Sequence, residues 1–209
     1  MVILSDVHGD LGHCVRVCNQ FPDDTVLQLG DLGIGLFDDP HKIILNQWLG
    51  AKNFRFFCGN HDDRYEAKQY KSYIGDYGEF ENIFYVCGAE TPEAQKNELV
   101  AGVSWWAHEQ LTHAESEEAL TMWEESDKTI LISHDCPQFF AEKHLSIYTK
   151  SYTRLLLDRM HIVRPPDLHI FGHHHKAIGV SLNKTKFICL PKNGYLKLWE
   201  TVLDCYFSF

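Results

Sequence analysis

The chain has 209 residues, 44% of them hydrophobic and 23% charged, which suits one soluble globular domain and leaves no need to split the core. Its net charge of −10 at pH 7 argues against general nucleic-acid binding, because phosphate backbones demand clustered Lys and Arg, although a local positive site can overrule that average. Seven cysteines, with no Cys-x-x-Cys pair, give no disulfide framework and point to a reducing, cytoplasmic compartment.

Residues 2–5, "VILS", read as a short buried strand. It is far below the ~20 apolar residues of a membrane span, and no basic leader precedes it, so neither a membrane anchor nor a targeting segment is expected. "DLGHCVRVCNQ" (10–20) reads as a helix with Asp10 as N-cap. A structural zinc on Cys14 and Cys18 would lack a second close pair to complete four ligands. A strand is expected at 25–29, a helix at 41–49 behind Pro40, and a strand at 54–58. These five make β-α-β-α-β, which favours helices packed on a sheet.

The polar, Tyr-rich stretch 62–82 reads as a surface helix and loop. Further strands are expected at 83–87, 99–104, 129–133, 168–171, 178–182, 186–190 and 195–199. A capping box, Thr112 with Glu115, opens a helix over 112–125. Another helix runs over 150–163 and stops before Pro165-Pro166. Lys192-Asn193-Gly194 reads as the turn of a closing hairpin-like run. Repeats and low-complexity segments are not seen.

The chemistry lies where the strands end. The first runs into "SDVHGD", with Asp6 and His8; the second into "LGDLG", with Asp31; the third into "CGNHDD", with Asn60, His61 and Asp62. The strand at 129–133 is followed by His134, and that at 168–171 by "GHHH", residues 172–175. Each piece alone has an ordinary explanation as a cap or a turn. Together they obey one positional rule, O or N donors at strand C-termini, the edge at which open α/β sheets build their sites. Seven ligands are too many for one tetrahedral zinc. They suit two divalent cations sharing a bridging carboxylate. Mixed N and O donors suit manganese first, with iron, zinc, nickel or magnesium as alternatives.

The order Asp-x-His, Gly-Asp, Gly-Asn-His-Asp, His, Gly-His-x-His, from residue 6 to residue 175, resembles the calcineurin-like metallophosphoesterase superfamily, and within it the small phage and bacterial phosphoesterases. The resemblance implies a single α/β domain over 1–209, a four-layer α-β-β-α sandwich of two mixed sheets flanked by helices. It implies that Asp6, His8 and His175 hold one metal, that Asn60, His134 and His173 hold the second, and that Asp31 bridges both. It makes His61 the catalytic histidine. The implied activity is hydrolysis of phosphate mono- or diesters, such as small phosphate esters, nucleotides or cyclic nucleotides, by a metal-bridging hydroxide. His173 and His175 are expected to alternate on an extended segment, so that each faces its own metal and His174 points away.

One departure stands out. Where many family members carry a second Asp that orients the catalytic histidine, this chain has Ile34, and Gly35-Leu36 follow, so the phosphoprotein phosphatase branch is disfavoured. Asp62 and Asp63 are the candidates to orient His61 instead. Arg64, Trp105 and His108 are candidate substrate contacts, with Trp106 beside them. Core packing is the competing explanation for the tryptophans, and a solvated surface for Arg64. Two other readings compete. A nuclease would need a basic stripe for duplex nucleic acid, and a non-catalytic scaffold would be expected to have lost ligands; neither feature is present.

Overall fold

In the computed structural model, which describes residues 1–50, 52–198 and the backbone of 206–208, the chain begins as expected. The elements run β1 (Val2–Leu4), α1 (Leu11–Gln20), β2 (Val26–Gln28), α2 (Asp39–Ile43, continued as a π-helical turn over Ile44–Leu49) and β3 (Phe54–Phe56). Then come α3 (Arg64–Ala67), β4 (Tyr77–Phe80), β5 (Ile83–Val86), α4 (Glu93–Lys96) and α5 (His113–Glu125). The chain goes on through β6 (Ile130–Ser133), α6 (Gln138–Phe140, continued as a π-helical turn over Ala141–Leu145), α7 (Tyr152–Val163), β7 (Leu168–Phe171), β8 (Ile178–Leu182), β9 (Thr185–Cys189), β10 (Tyr195–Lys197) and β11 (Tyr206–Ser208).

Two mixed sheets result, in the orders β11-β10-β1-β2-β3 and β4-β5-β6-β7-β9-β8. Alternation along each strand assigns the layers. Val2, Leu4, Val26, Phe54 and Phe56 pack on α1 and α2, whereas Ile3 and Leu27 join Ile132, Ile170 and Ile188. Trp123 of α5 and Leu156, Leu157 and Met160 of α7 belong to that same large core, and Phe140 of α6 packs with Phe171 and Phe187. Burying each such side chain contributes about 1.5–3 kcal/mol. The layers are thus α-β-β-α. Strands β1, β2 and β3 are mutually parallel, as are β6 and β7, so all five ligand-bearing ends open on one edge of their sheets.

The local signals hold where they name a mechanism. Asp10 accepts from the His13 amide, and the Thr112–Glu115 capping box is complete. Three expectations need correction. Residues 99–104 are turns, not a strand: Val100 and Val103 are exposed and Gly102 has a left-handed φ. The stretch 62–82 is no mere surface loop, since it contains β4, paired antiparallel with β5. The turn at 192–194 closes no hairpin, because the strands on its two sides belong to different sheets. The strand expected over 195–199 ends at Lys197, and residue 199 lies outside the described residues, as does Cys205. The other six cysteines are buried and unpaired. Among the described residues no helix is long and apolar enough to cross a membrane.

Candidate metal centre

Five of the seven ligand candidates sit on left-handed backbone: Asp6, His8, Asp31, His173 and His175, with φ between 40° and 62°. That conformation costs an L-residue about 1–2 kcal/mol. Strain repeated at the ends of β1, β2 and β7 marks a functional site. It also corrects the expectation for residues 173–175. They are not extended, and left-handed turns rather than strand alternation send His173 and His175 in different directions. The preceding glycines have a spatial reason. A Cβ on Gly59 would overlap the Asp31 carboxylate, and one on Gly172 would overlap that of Asp6.

Beside a further cluster of Asp135, His173 and His174, the ligand candidates fall into two groups, Asp6, His8, Asp31 and His175 in one and Asp31, His134 and His173 in the other. Asp31 belongs to both, and its two oxygens are divided between them: Oδ1 is 3.3 Å from His134 Nε2 and Oδ2 is 3.7 Å from His8 Nε2. His8 and His175 bring their Nε2 atoms to 2.9 Å, the spacing of neighbouring ligands on one ion. His134 Nδ1 lies 3.0 Å from the Leu29 carbonyl, which only accepts, so Nδ1 carries the proton and Nε2 turns its other valence inward. There it meets Asn60 Oδ1 at 3.2 Å. A lone pair and a carbonyl oxygen repel at that distance unless a cation or a proton lies between them. The donor set fits two divalent cations.

Electrostatics agree. Burial works against ionising Asp31, yet the imidazoles of His134, His61 and His8 hold its carboxyl far below the usual range. Burial pushes the His173 imidazole down to about 3, which keeps it a neutral ligand. Burial also works against charging His134, but Asp31 and Asp6 outweigh it and lift that ring to about 10, which marks the position as one that favours positive charge.

Around the ligands stands a supporting layer that the sequence did not reveal. Buried Asp62 accepts the amides of Leu32, Gly33, Ile34 and Gly59 at 2.6–3.2 Å, tying the Asp31 turn to the Asn60 turn. Burial and the Asp31 charge push its pKa up, and the amides oppose this. Asn60 Nδ2 donates to the Thr91 hydroxyl at 2.9 Å, and Thr91 donates to Glu109. Buried Asp135 accepts from Arg154 Nε at 2.9 Å and faces His174 Nε2 at 3.0 Å. His174 faces Asp135 and Cys136 and clusters with His173 rather than with Asp31. Asp62 and Asp135 directly follow His61 and His134 in the chain, a faint signal; Thr91 and Glu109 have none.

Neither candidate orienter reaches the His61 ring. Asp62 is committed to its four amides, and Asp63 caps α3 and lies 3.1 Å from His108 Nε2. His61 is fixed through its backbone, whose N–H donates to Asp31 Oδ1 at 2.9 Å, and its ring lines a cleft of about 450 Å³ together with His8, Asp31, His173 and His175. The candidate substrate contacts lie elsewhere. Arg64 is buried, paired with Asp76 and Glu115, and donates to the carbonyls of His108 and Gln110. His108 stacks on Tyr65 with ring centres 4.2 Å apart, and both line a neighbouring groove with Arg64. Trp105 has the Lys96 ammonium over its ring, and Trp106 is core, filling the space beside Gly35. Glu90, Pro92, Gln95, Ile147, Thr149 and Arg154 line the cleft beside the candidate ligands.

Among curated proteins, none matches this chain. Solved structures do. A dimetal phosphatase from Danio rerio superposes with a TM-score of 0.54 at 13% identity, covering 96% of this chain and 93% of that one. An archaeal phosphodiesterase gives 0.46 at 13% identity over 100% and 99%, and a predicted phosphoesterase from Streptococcus pneumoniae gives 0.42 at 14% over 93% and 80%. At 13% identity the likeness to the Danio rerio phosphatase speaks for the fold alone. The sequence profile described as calcineurin-like phosphoesterase matches residues 1–177, five-sixths of the chain, and its stretch contains every residue of the two ligand groups. With that match, this chain belongs to the calcineurin-like phosphoesterase family, hydrolases of phosphate esters.

Proposed function

We propose that the chain hydrolyses small phosphate mono- or diesters at a pair of divalent cations, manganese foremost, held in the two ligand groups. The observation that carries this reading is Asp31, a buried carboxylate with one oxygen turned to each group. Two such cations, when bound, supply Lewis acidity toward the phosphoryl oxygens and toward the attacking water. Asp6, His8 and His175 complete the first position; Asn60, His134 and His173 complete the second.

The remaining work falls to the protein. Of the seven ligands only Asp6 and Asp31 are acidic, so the set does not cancel two divalent charges and leaves a positive pocket for an anionic ester in a chain of net charge −10. His61 has no hydrogen bond to its ring among the described residues and borders the cleft, so it is available to donate a proton to the leaving oxygen. General acid help of this kind is typically worth ~10²–10⁴-fold. The anchored backbone of His61 takes over part of the positioning that a second Asp gives other family members. Ile147, Thr149 and Arg154 form the wall that a leaving group would meet, and a cleft of about 450 Å³ suits a small ester better than a duplex.

The test is hydrolysis of nitrophenyl phosphate mono- and diesters, nucleotides, cyclic nucleotides and single-stranded DNA by Mn²⁺-loaded protein. Turnover should be strong in the wild type and lost in Asp31→Asn. Asp31→Asn and His61→Ala proteins that match the wild type would refute the reading.

A further inference from the structure

An asparagine can serve as a metal ligand only through its carbonyl oxygen, because the amide nitrogen has no lone pair to give. The two ends of the amide have nearly the same size, so packing cannot choose between them. Only the polarity of the surrounding hydrogen bonds can.

At Asn60 that polarity is built from outside the ligand set. Glu109 is buried, and the Thr91 backbone N–H donates to its Oε1 at 3.1 Å. The Thr91 hydroxyl lies 2.5 Å from Glu109 Oε2. The Lys96 ammonium is 3.8 Å from the same carboxylate. A carboxylate beside a cation only accepts, so the hydroxyl proton of Thr91 must point at Glu109. The hydroxyl oxygen can then only accept on its other side, where Asn60 sits at 2.9 Å. The group presented there must be Nδ2, and Oδ1 is left to face His134 Nε2 at 3.2 Å. Turned over, the amide would set two acceptors against each other at Thr91.

We propose that Thr91 and Glu109 are positioning residues for the second cation: they fix which end of the Asn60 amide faces it. This rests on the two-cation reading above. Neither residue supplies a donor atom to the second position, only Thr91 touches a candidate ligand, and both come from loops, Thr91 after β5 and Glu109 ahead of α5. The three side chains form a one-way relay, Asn60 to Thr91 to Glu109. Nothing in the relay is consumed or transferred; it sets direction alone.

The test is Mn²⁺ titration of metal-free protein by calorimetry, with cation content after gel filtration as a second readout. Thr91→Val removes the hydroxyl at nearly constant shape. Glu109→Gln removes no bulk but reverses the polarity, because its amide would donate to Thr91 and free the hydroxyl proton to seek Asn60 Oδ1. Both should weaken the second equivalent of Mn²⁺ by about 10–100-fold and leave the first near its wild-type affinity. Thr91→Ser keeps the hydroxyl and should restore two-site binding, which a purely structural role of the methyl group would not allow. Cooperative thermal unfolding of the metal-free variants checks that they fold. Two equivalents bound by Glu109→Gln with wild-type affinities would overturn the inference while leaving the two-cation reading intact. A wild type that binds no Mn²⁺ would overturn both.

Discussion

Two pairs of imidazoles in this molecule share a spacing and differ in everything around it. His8 and His175 bring ring nitrogens to 2.9 Å, and so do His161 and His169. The first pair sits beside Asp6 and Asp31, on left-handed backbone at the strand ends. The second lies between α7 and β7 against Phe187, with Phe139 on His161 and the Ser133 hydroxyl 2.7 Å from His169 Nε2. Among the described residues it joins no group of three ligands. Paired imidazoles alone therefore do not set the candidate metal positions apart. What does is a carboxylate in each group, together with a backbone bent to aim the donors.

The sharpest way to break this contrast is Asp31→Asn. It should cost more than the ~10²–10⁴-fold worth of a general acid and release both cations on dialysis, read by metal analysis and ester hydrolysis. Retention of two cations would remove Asp31 from the centre of the contrast. His61→Ala should lose ~10²–10⁴-fold in kcat while keeping both cations, which separates a proton donor from a ligand. Arg64→Ala should act on stability rather than chemistry. It strands Asp76 and Glu115, and denaturant unfolding should show a loss of about 3–5 kcal/mol, with turnover of the folded fraction within a few-fold of wild type. A large fall in turnover at unchanged stability would return Arg64 to the substrate.

The smallest effect belongs to the second pair. Burial pushes the His161 imidazole down to about 4, from an ordinary 6.5. The unfolded chain therefore takes up that proton first as pH falls. Stability from this group is complete above pH 6.5, declines between 6.5 and about 4, and levels off below, by up to about 3 kcal/mol. Urea unfolding of metal-free protein from pH 7 to 4.5 should show that decline, and His161→Phe should flatten part of it. An unchanged slope in the variant would place the acid sensitivity elsewhere.

The candidate ligands stand out because each follows an apolar strand within a few residues, three of them directly behind a glycine, and because their order matches a family. The strands beneath them were legible for the same reason, being short apolar runs bounded by turns. Exposed Val100 and Val103 mimic a strand only in composition, since no neighbour pairs with them as one. Strand β4 went unseen because its sequence, "YGEF", is polar and carries Gly78; it is a strand by virtue of β5 alongside. Thr91, Glu109 and Arg154 act through partners 18 to 31 residues away, and no local pattern records such a partnership. The burial of Arg64 between Asp76 and Glu115, 12 and 51 residues along the chain, left no local signal either.

The turn at 191–194 carries a last consequence. Beyond the stretch matched by the family profile, the Gly194 carbonyl accepts the Ser5 amide at 2.9 Å and the Asn193 amide donates to the Ser5 carbonyl at 3.2 Å. Asp6 is thus clasped on its upstream side by backbone synthesised nearly 190 residues later. During translation this candidate ligand emerges ahead of the other six, and its cradle closes only when β10 arrives to dock.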